Sequence, residues 1–189
     1  MIGKETMEGA AGRLRASLCQ KRRLFRKGVA AMFTVRTSSP EETAALGERI
    51  GTICPRGAVF ALAGDLGAGK TLFVQGLARG LGFSGEVTSP TFNLMNVYEG
   101  KMRLTHFDVY RLERVEELDA IGFYEYAEAT EGIVLIEWAE KFPDAMPEDR
   151  LQVRIDALEG EGRQFTFAAE GEKSTKLLKE LDDIVDREP

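Results

Sequence analysis

The chain has 189 residues, of which 43% are hydrophobic, 30% are charged and two are cysteines. This length and balance predict one globular domain that buries a core without staples. Cys19 and Cys54 form no framework and no C-x-x-C pair, which favours a reducing compartment. The apolar runs are far shorter than a membrane span, and no secretory apolar region follows the N-terminal basic residues. We therefore expect a cytoplasmic protein without a membrane anchor.

Residues 1–31 differ from the rest of the chain in charge. They hold eight Lys or Arg against two Glu, a local net charge of +6, so the remaining residues carry −12. The segment has glycines and no long amphipathic pattern, which favours a disordered extension upstream of a start at Met32. A nucleic-acid-binding arm and an amphipathic targeting peptide are the alternatives. We expect a basic, disordered extension over 1–31 and a single domain over 32–189.

The first predicted elements are a strand over 33–36 and a helix that begins after Ser39. Ser39 is a favourable N-cap residue, and Pro40 suits the first helical position. Two glutamates follow in the first turn, where the helix dipole favours acids. The helix is predicted to run to about Ile50, with Gly51 near its end. A short buried strand is predicted next, over Val59–Ala63.

The strongest motif follows this strand. The P-loop (Walker A) pattern G-x-x-x-x-G-K-[ST] is matched at every constrained position by Gly64, Asp65, Leu66, Gly67, Ala68, Gly69, Lys70 and Thr71. The glycines let the backbone approach a polyphosphate, and the N-terminus of the next helix attracts the anion. Lys70 would reach the β- and γ-phosphates, and the Thr71 hydroxyl would bind Mg²⁺. Apolar residues at helical spacing predict that helix, with Gly80 and Gly82 as its stop signals.

The later elements complete an alternating pattern. Two strands, over 93–98 and 102–108, flank a predicted hairpin turn at Glu99-Gly100-Lys101. Residues 110–130 are predicted to be helical with an interruption near Gly122. A buried strand over Ile133–Ile136, two late strands and an amphipathic C-terminal helix follow. The late strands are 151–155 and 164–167, and the helix is marked by Leu177, Leu178, Leu181, Ile184 and Val185. Together they predict an α/β fold of the P-loop nucleoside triphosphatase type, with a mixed central β-sheet flanked by helices.

Two carboxylates are candidates for the chemistry. Phosphoryl transfer needs a carboxylate near Mg²⁺ at the end of a hydrophobic strand beside the P-loop strand, and Glu137 has that position. A helix-capping or surface Glu is the alternative. Trp138 follows directly and could stack near a nucleotide or fill the core. His106 and Asp108 project on the same side of a strand end, because strand periodicity is two. A satisfied His beside a solvated Asp is the alternative there.

A third segment carries hydroxyls and a rigid proline. Thr88-Ser89-Pro90-Thr91-Phe92 resembles a switch loop that senses the γ-phosphate through Thr91. An ordinary turn is the alternative for a pattern this short.

The four motifs GDLGAGKT, SPTF, HFDVYR and IEWAE occur in this order between about Phe33 and Ile155. In this order they resemble the bacterial TsaE (YjeE) ATPases, which help make the tRNA modification threonylcarbamoyladenosine. The resemblance implies that Lys70 and Thr71 hold phosphate and Mg²⁺ and that Glu137 is a Walker-B-like metal carboxylate. It also implies that Asp108 is needed for hydrolysis and is a further candidate metal ligand, and that Thr91 and Trp138 contact the nucleotide.

The resemblance also implies partners. Family members are weak ATPases alone and dock on the TsaB–TsaD pair, where nucleotide turnover supports repeated cycles of modification. The transfer reaction itself belongs to TsaD, so tRNA is reached indirectly through the complex. Residues 1–31 have no counterpart in the family pattern.

Two other functions remain open. A small-molecule or nucleotide kinase would share the P-loop but needs an acceptor pocket and usually an Arg-rich lid. Only four arginines lie between Thr71 and Ala129, and they form no obvious lid. A non-hydrolysing regulator would use bound ATP or ADP only to set its affinity for a partner, and both carboxylates would then be dispensable.

Overall fold

A mixed β-sheet forms the centre of the computed structural model, which describes residues 22–23, 32–128 and 131–186. The strands in chain order are β1 (Arg22–Arg23), β2 (Met32–Thr37), β3 (Val59–Ala63), β4 (Met95–Tyr98), β5 (Leu104–Asp108), β6 (Ile133–Glu137), β7 (Arg150–Ala157) and β8 (Arg163–Glu170). The helices are α1 (Pro40–Ile53), α2 (Lys70–Gly80), α3 (Glu116–Ala120), α4 (Phe123–Ala127) and α5 (Glu172–Asp186). Two short 3₁₀ helices, Ala139–Lys141 and Pro143–Ala145, follow β6.

The order of the strands places the candidate site. It runs β1-β2-β8-β7-β3-β6-β5-β4 across the sheet. The central strand β3 is parallel to β6 and β7, and β5 is parallel to β6, whereas the outer pairs are antiparallel. Because the carboxyl ends of parallel strands share one edge, the segments after β3, β5, β6 and β7 meet there. The predicted mixed sheet with flanking helices is confirmed.

Each face of the sheet is covered by its own apolar cluster. The larger cluster joins the sheet to α1, α2 and α5 through residues such as Leu46, Phe73 and Leu181. The smaller cluster lies on the opposite face and includes Leu118 of α3 and Phe123 of α4. The central strands are therefore buried on both sides, as the continuous apolar runs of β3 and β6 predicted.

Helices α1 and α2 pack unusually closely. A methyl group placed on Gly76 would lie 1.9 Å from the carbonyl oxygen of Ala44, and one placed on Gly47 would lie 2.3 Å from that of Phe73. Gly51 and Gly80 leave similarly little room. Only glycine fits such an approach of two backbones, so these positions fix the helix that carries the P-loop against its neighbour.

Most predicted elements are confirmed, although several of their ends differ from the prediction by one to three residues. Helix α1 begins at Pro40, and the Ser39 side chain accepts a hydrogen bond from the Glu42 backbone N–H. The helix continues through Gly51 to Ile53, beyond the predicted end. Gly51 does not end the helix; a side chain at this position would meet the carbonyl oxygen of Leu77. The predicted hairpin is the antiparallel pair β4–β5.

The prediction of a long helix over 110–130 was wrong in extent. Two five-residue helices, α3 and α4, occupy the segment and are separated by Gly122, whose φ is 69°. Residues 110–115 form turns, a bend and irregular backbone instead. A left-handed residue ends the run of helical hydrogen bonds, so the interruption is a break between two helices.

The predicted extension over 1–31 lies outside the described residues, apart from Arg22–Arg23, which pair antiparallel with β2. The domain boundary at residue 32 stays a prediction. Cys19 is outside them too, whereas Cys54 is a buried free thiol whose pKa is raised by burial. Among the described helices, none combines the length and apolar character that crossing a membrane requires.

Candidate functional site

The P-loop connects β3 to α2 at the edge where the parallel strands end. Gly69 is the N-cap of α2, with a φ of 105° and no side-chain cap. The first N–H groups of α2 are therefore left for an anionic ligand. At the other end of the loop, a methyl group on Gly64 would lie 2.5 Å from the carbonyl oxygen of Ile155. Only glycine lets the loop lie this close to β7.

Lys70 lies inside the loop with 6% of its surface exposed. Its Nζ donates hydrogen bonds to the carbonyl oxygens of Gly64 (2.7 Å) and Asp65 (3.1 Å). The same ammonium lies 4.1 Å from the centre of the Trp138 ring, a cation–π contact. The loop carbonyls and one aromatic face thus fix the position of this cation.

The surroundings of Lys70 shift the pKa of its amine by two opposing effects. Burial lowers the pKa of its amine, since removal from water disfavours the charged form. Negative charges on Glu137, Glu140 and Asp108 oppose that effect. The ammonium is therefore a partly desolvated cation close to the two candidate carboxylates.

Those carboxylates lie side by side on neighbouring strands. Asp108 pairs with Glu137 at the end of the parallel β5–β6 ladder, and each is 2% exposed. Strand periodicity puts Asp108 and His106 on the face that buries Leu104, which is the face that α2 covers. The predicted same-side arrangement of His106 and Asp108 agrees with this register.

Asp108 holds the predicted switch loop. Its Oδ2 accepts hydrogen bonds from the hydroxyls of Thr91 (2.5 Å) and Ser89 (3.2 Å). Its Oδ1 accepts the backbone N–H of Tyr110 at 2.9 Å. Both oxygens thus have protein donors, and the loop that carries Thr91 is tied to the end of β5.

Glu137 has a different environment. Its Oε1 lies 2.9 Å from Nε2 of His106. No other hydrogen bond to this carboxylate is present among the described residues, so Oε2 has no protein donor. A carboxylate oxygen of this kind suits a hard cation such as Mg²⁺.

A metal held only by side chains does not fit this site. No group of three or more His, Cys, Asp or Glu within the described ranges is arranged to hold a metal ion. Mg²⁺ commonly takes one or two protein oxygens and completes its shell with phosphates and water. Glu137 and the half-buried Thr71 at the start of α2 fit that partial donor set.

Most of the predicted site residues lie close to Lys70, and Leu66 is an exception. Leu66 projects from the tip of the loop with 90% of its surface exposed. Trp138 is half-buried and borders the P-loop through its contact with Lys70. Its ring also lies 4.9 Å from the ring of Tyr110. Sequence reasoning missed Tyr110, although it lies within the HFDVYR motif, and gave no role to Arg163.

A sequence model of the family described as "Threonylcarbamoyl adenosine biosynthesis protein TsaE" matches residues 37–165. This chain belongs to the TsaE family. The predicted resemblance is therefore confirmed, over a range that reaches further into β8 than the motifs alone indicated.

Individual TsaE proteins agree with this assignment. The chain is 41% identical to TsaE of Bacillus subtilis over 147 residues, which cover 77% of this chain and 91% of the relative. It is 42% identical to TsaE of Treponema pallidum over 130 residues, which cover 69% of this chain and 96% of the relative. Both are named tRNA threonylcarbamoyladenosine biosynthesis proteins.

The fold also matches a solved structure. The crystal structure of Bacillus subtilis YdiB superimposes with a TM-score of 0.72 at 35% sequence identity. The match covers 84% of this chain and 99% of YdiB. This similarity fits an α/β fold of the P-loop nucleoside triphosphatase type.

Proposed function

We propose that this TsaE-family chain is a cytoplasmic, Mg²⁺-dependent ATPase that supports tRNA threonylcarbamoyladenosine formation in complex with TsaB and TsaD. Its family and the names of its relatives support the pathway. One observation carries the enzymatic part of the proposal. The P-loop cation Lys70 lies beside two buried carboxylates, Asp108 and Glu137, which are paired on adjacent parallel strands.

Nucleotide binding would use the loop and its lysine. The backbone N–H groups at the start of α2 would surround the β-phosphate, and Lys70 would neutralise the polyphosphate charge. The ammonium would then exchange the carbonyls of Gly64 and Asp65 for phosphate oxygens. Trp138 would keep its ring against that ammonium and border the phosphates, so we assign it to the phosphate end of the nucleotide.

Glu137 and Thr71 would hold the magnesium ion. A bound Mg²⁺ would supply neutralisation of the charge that develops on the phosphate oxygens. His106 keeps the Glu137 carboxylate in one orientation by donating to Oε1, which leaves Oε2 for the metal. Asp108 would not bind the magnesium ion directly, because protein donors already engage both of its oxygens.

Asp108 and Thr91 would couple hydrolysis to the loop. With a γ-phosphate present, the Thr91 hydroxyl would turn from Asp108 to the phosphate and metal side. The freed Oδ2 of Asp108 would then orient the attacking water. The water oxygen would bond to the γ-phosphorus while the bond from that phosphorus to the β–γ bridging oxygen breaks. One proton of the water would pass to an oxygen of the transferred phosphoryl group, so that ADP and inorganic phosphate result.

The contribution to tRNA modification would pass through protein contacts. A domain with a net charge of −12 over residues 32–189 is poorly suited to bind a polyanion by itself. Phe92 lies on the nucleotide-sensing loop and is 85% exposed, which suits a surface that a partner covers. TsaB and TsaD are the proposed partners, and TsaD would carry out the transfer to tRNA.

The decisive experiment measures ATP hydrolysis by the full chain with Mg²⁺, alone and with TsaB, TsaD and tRNA. We expect slow turnover alone and stimulation by the complete set. Lys70→Ala should abolish both, whereas Asp119→Asn, a change at an exposed carboxylate of α3, should match the wild type. Nucleotide-dependent binding to TsaB and TsaD without hydrolysis in any mixture would favour the regulator instead.

A further inference from the structure

Arg163 lies at the same edge of the sheet as the P-loop, but on the side away from the two carboxylates. It is the first residue of β8 and pairs with Ala157, the last residue of β7. Because β7 is parallel to β3, this end of the β7–β8 hairpin flanks the P-loop. The sheet order β8-β7-β3-β6-β5 therefore puts Arg163 on one side of the loop, with Asp108 and Glu137 on the other.

The Arg163 side chain lies across the last glycine of the loop. A methyl group placed on Gly69 would lie 3.3 Å from Nε of Arg163 and 3.8 Å from its Cδ. The Nη1 atom donates a hydrogen bond of 2.7 Å to the carbonyl oxygen of Gly162. Strand periodicity agrees with this position, since Phe165, two residues further on, is buried on the face that α2 covers.

Within the part of the chain that the structure describes, the Arg163 guanidinium has no acidic side chain as an ion-pair partner. None of the ion pairs among residues 32–128 and 131–186 involves Arg163, and its only side-chain hydrogen bond there goes to a neutral carbonyl. The side chain is nevertheless half-buried. A partly desolvated arginine beside an anion-binding helix end is complementary to phosphate, which it binds through charge-assisted hydrogen bonds.

The residues on the two sides of the P-loop indicate how a bound nucleotide would be oriented along it. Lys70, Asp108 and Glu137 mark the end where the γ-phosphate would lie. A triphosphate that crosses the loop from there must direct its α-phosphate and nucleoside towards β7 and β8. We propose that Arg163 is a nucleotide-binding residue that contacts the α-phosphate, a role that rests on the proposed nucleotide-binding function.

This position has a kinetic consequence. The α-phosphate is present in both ATP and ADP and is not part of the bond that breaks. Arg163 therefore contributes binding free energy that is equal in the ground state and the transition state, which sets KM and not kcat. An arginine that contacted the γ-phosphate would instead favour ATP over ADP and raise kcat.

The test compares Arg163→Gln and Arg163→Lys with Arg154→Gln in the full chain. Arg154 is a matched control because it lies on the neighbouring strand β7, on the opposite face, where it pairs with Asp156. Calorimetric titration gives the affinities for ATP and for ADP, and steady-state assays give kcat and KM. Thermal melting shows whether each variant is folded.

We expect Arg163→Gln to weaken ATP and ADP binding by the same factor, about tenfold, as for the loss of one charge-assisted hydrogen bond. KM should rise in parallel while kcat changes little, and Arg163→Lys should recover part of the affinity. Arg154→Gln should match the wild type. Unchanged affinities in Arg163→Gln, or a loss confined to ATP and kcat, would overturn the assignment. A wild-type protein that binds neither nucleotide would overturn the proposed function as well.

Discussion

The Nε2 atom of His106 lies 2.9 Å from Oε1 of Glu137, and both side chains are buried. The Nδ1 atom of the same ring is buried, and no group of the described residues forms a hydrogen bond with it. A proton on Nε2 satisfies the carboxylate, whereas a proton on Nδ1 would have no acceptor, so we assign the Nε2–H tautomer. The only histidine of the chain therefore orients the carboxylate proposed to hold the metal.

We predict that His106→Ala raises the Mg²⁺ concentration needed for ATP hydrolysis by about 10- to 100-fold, the usual cost of losing a group that orients a metal ligand. ATP binding without Mg²⁺ should change little, since the P-loop is untouched. A magnesium titration of the ATPase rate measures this. His106→Gln, whose amide can still donate to Glu137, should recover part of the loss. An identical magnesium dependence in His106→Ala would contradict the positioning role.

A second prediction separates the two carboxylates from the loop. Asp108→Ala and Glu137→Ala should each lower hydrolysis by about 10²-fold or more, because groups that orient the water or hold the metal are removed. ATP binding should fall less than turnover. Calorimetry gives the affinity for ATP, and single-turnover assays on the same preparations give the rate of hydrolysis. Normal hydrolysis by both variants in the full assembly would favour the regulator.

A third prediction concerns the loop that Asp108 holds. If the Thr91 hydroxyl exchanges Asp108 for the γ-phosphate side, the surface around Phe92 differs between ATP and ADP states. Binding to TsaB and TsaD should then be tighter with ATP than with ADP, and Thr91→Ala should narrow the difference. Pull-downs with each nucleotide measure it. Equal capture in the ATP, ADP and nucleotide-free states would exclude the switch and leave the ATPase proposal standing.

Local signals explain why so much of the fold could be predicted. The P-loop can be recognised in the sequence because its glycines, lysine and threonine are needed at fixed spacing. The start of α1 is readable because Ser39 and Pro40 act within one turn. Strands β3 and β6 are readable because strands buried on both faces are apolar throughout.

Features that depend on long-range contacts could not be predicted. Gly76 is confined by the backbone of Ala44, which lies 32 positions earlier in the chain. Arg163 reaches the P-loop only because the antiparallel β7–β8 hairpin returns to the edge where β3 ends. The division of roles between Asp108 and Glu137 likewise depends on contacts between distant positions, since Ser89 lies 19 residues from Asp108 and His106 lies 31 residues from Glu137.

The contact between α1 and α2 leads to a fourth prediction, on stability. Gly76→Ala should lower the free energy of unfolding by about 1–3 kcal/mol, because the added methyl overpacks a backbone contact. The better helix propensity of alanine, about 1 kcal/mol, offsets only part of this. Chemical denaturation measures the change. Arg79→Ala, at an exposed ion pair on the same helix, should cost much less. A Gly76→Ala protein as stable as the wild type would show that the helices can move apart freely.

The last prediction follows from the lowered pKa of the Lys70 amine. Polyphosphate favours the protonated form, so nucleotide binding raises this pKa and takes up a proton in the window between the free and bound values. Affinity for ATP is therefore complete below the free-protein pKa of Lys70 and declines as pH rises through it. Because burial is the largest influence, this decline begins below the ordinary lysine value of 10.5.

Calorimetric ATP titrations across the alkaline range provide the measurement, with Lys70→Arg as the matched variant. Arginine stays charged throughout that range, so its affinity, although lower because the planar group fits the loop less well, should not show this early decline. Lys70→Ala should bind too weakly for a profile. The same lowered pKa predicts that folding stability of the nucleotide-free protein rises as pH increases from the folded-state pKa of Lys70 to the ordinary lysine value of 10.5, since the unfolded chain binds the lysine proton more tightly there. A wild-type affinity that runs parallel to that of Lys70→Arg up to the ordinary lysine pKa would show that the loop does not desolvate Lys70.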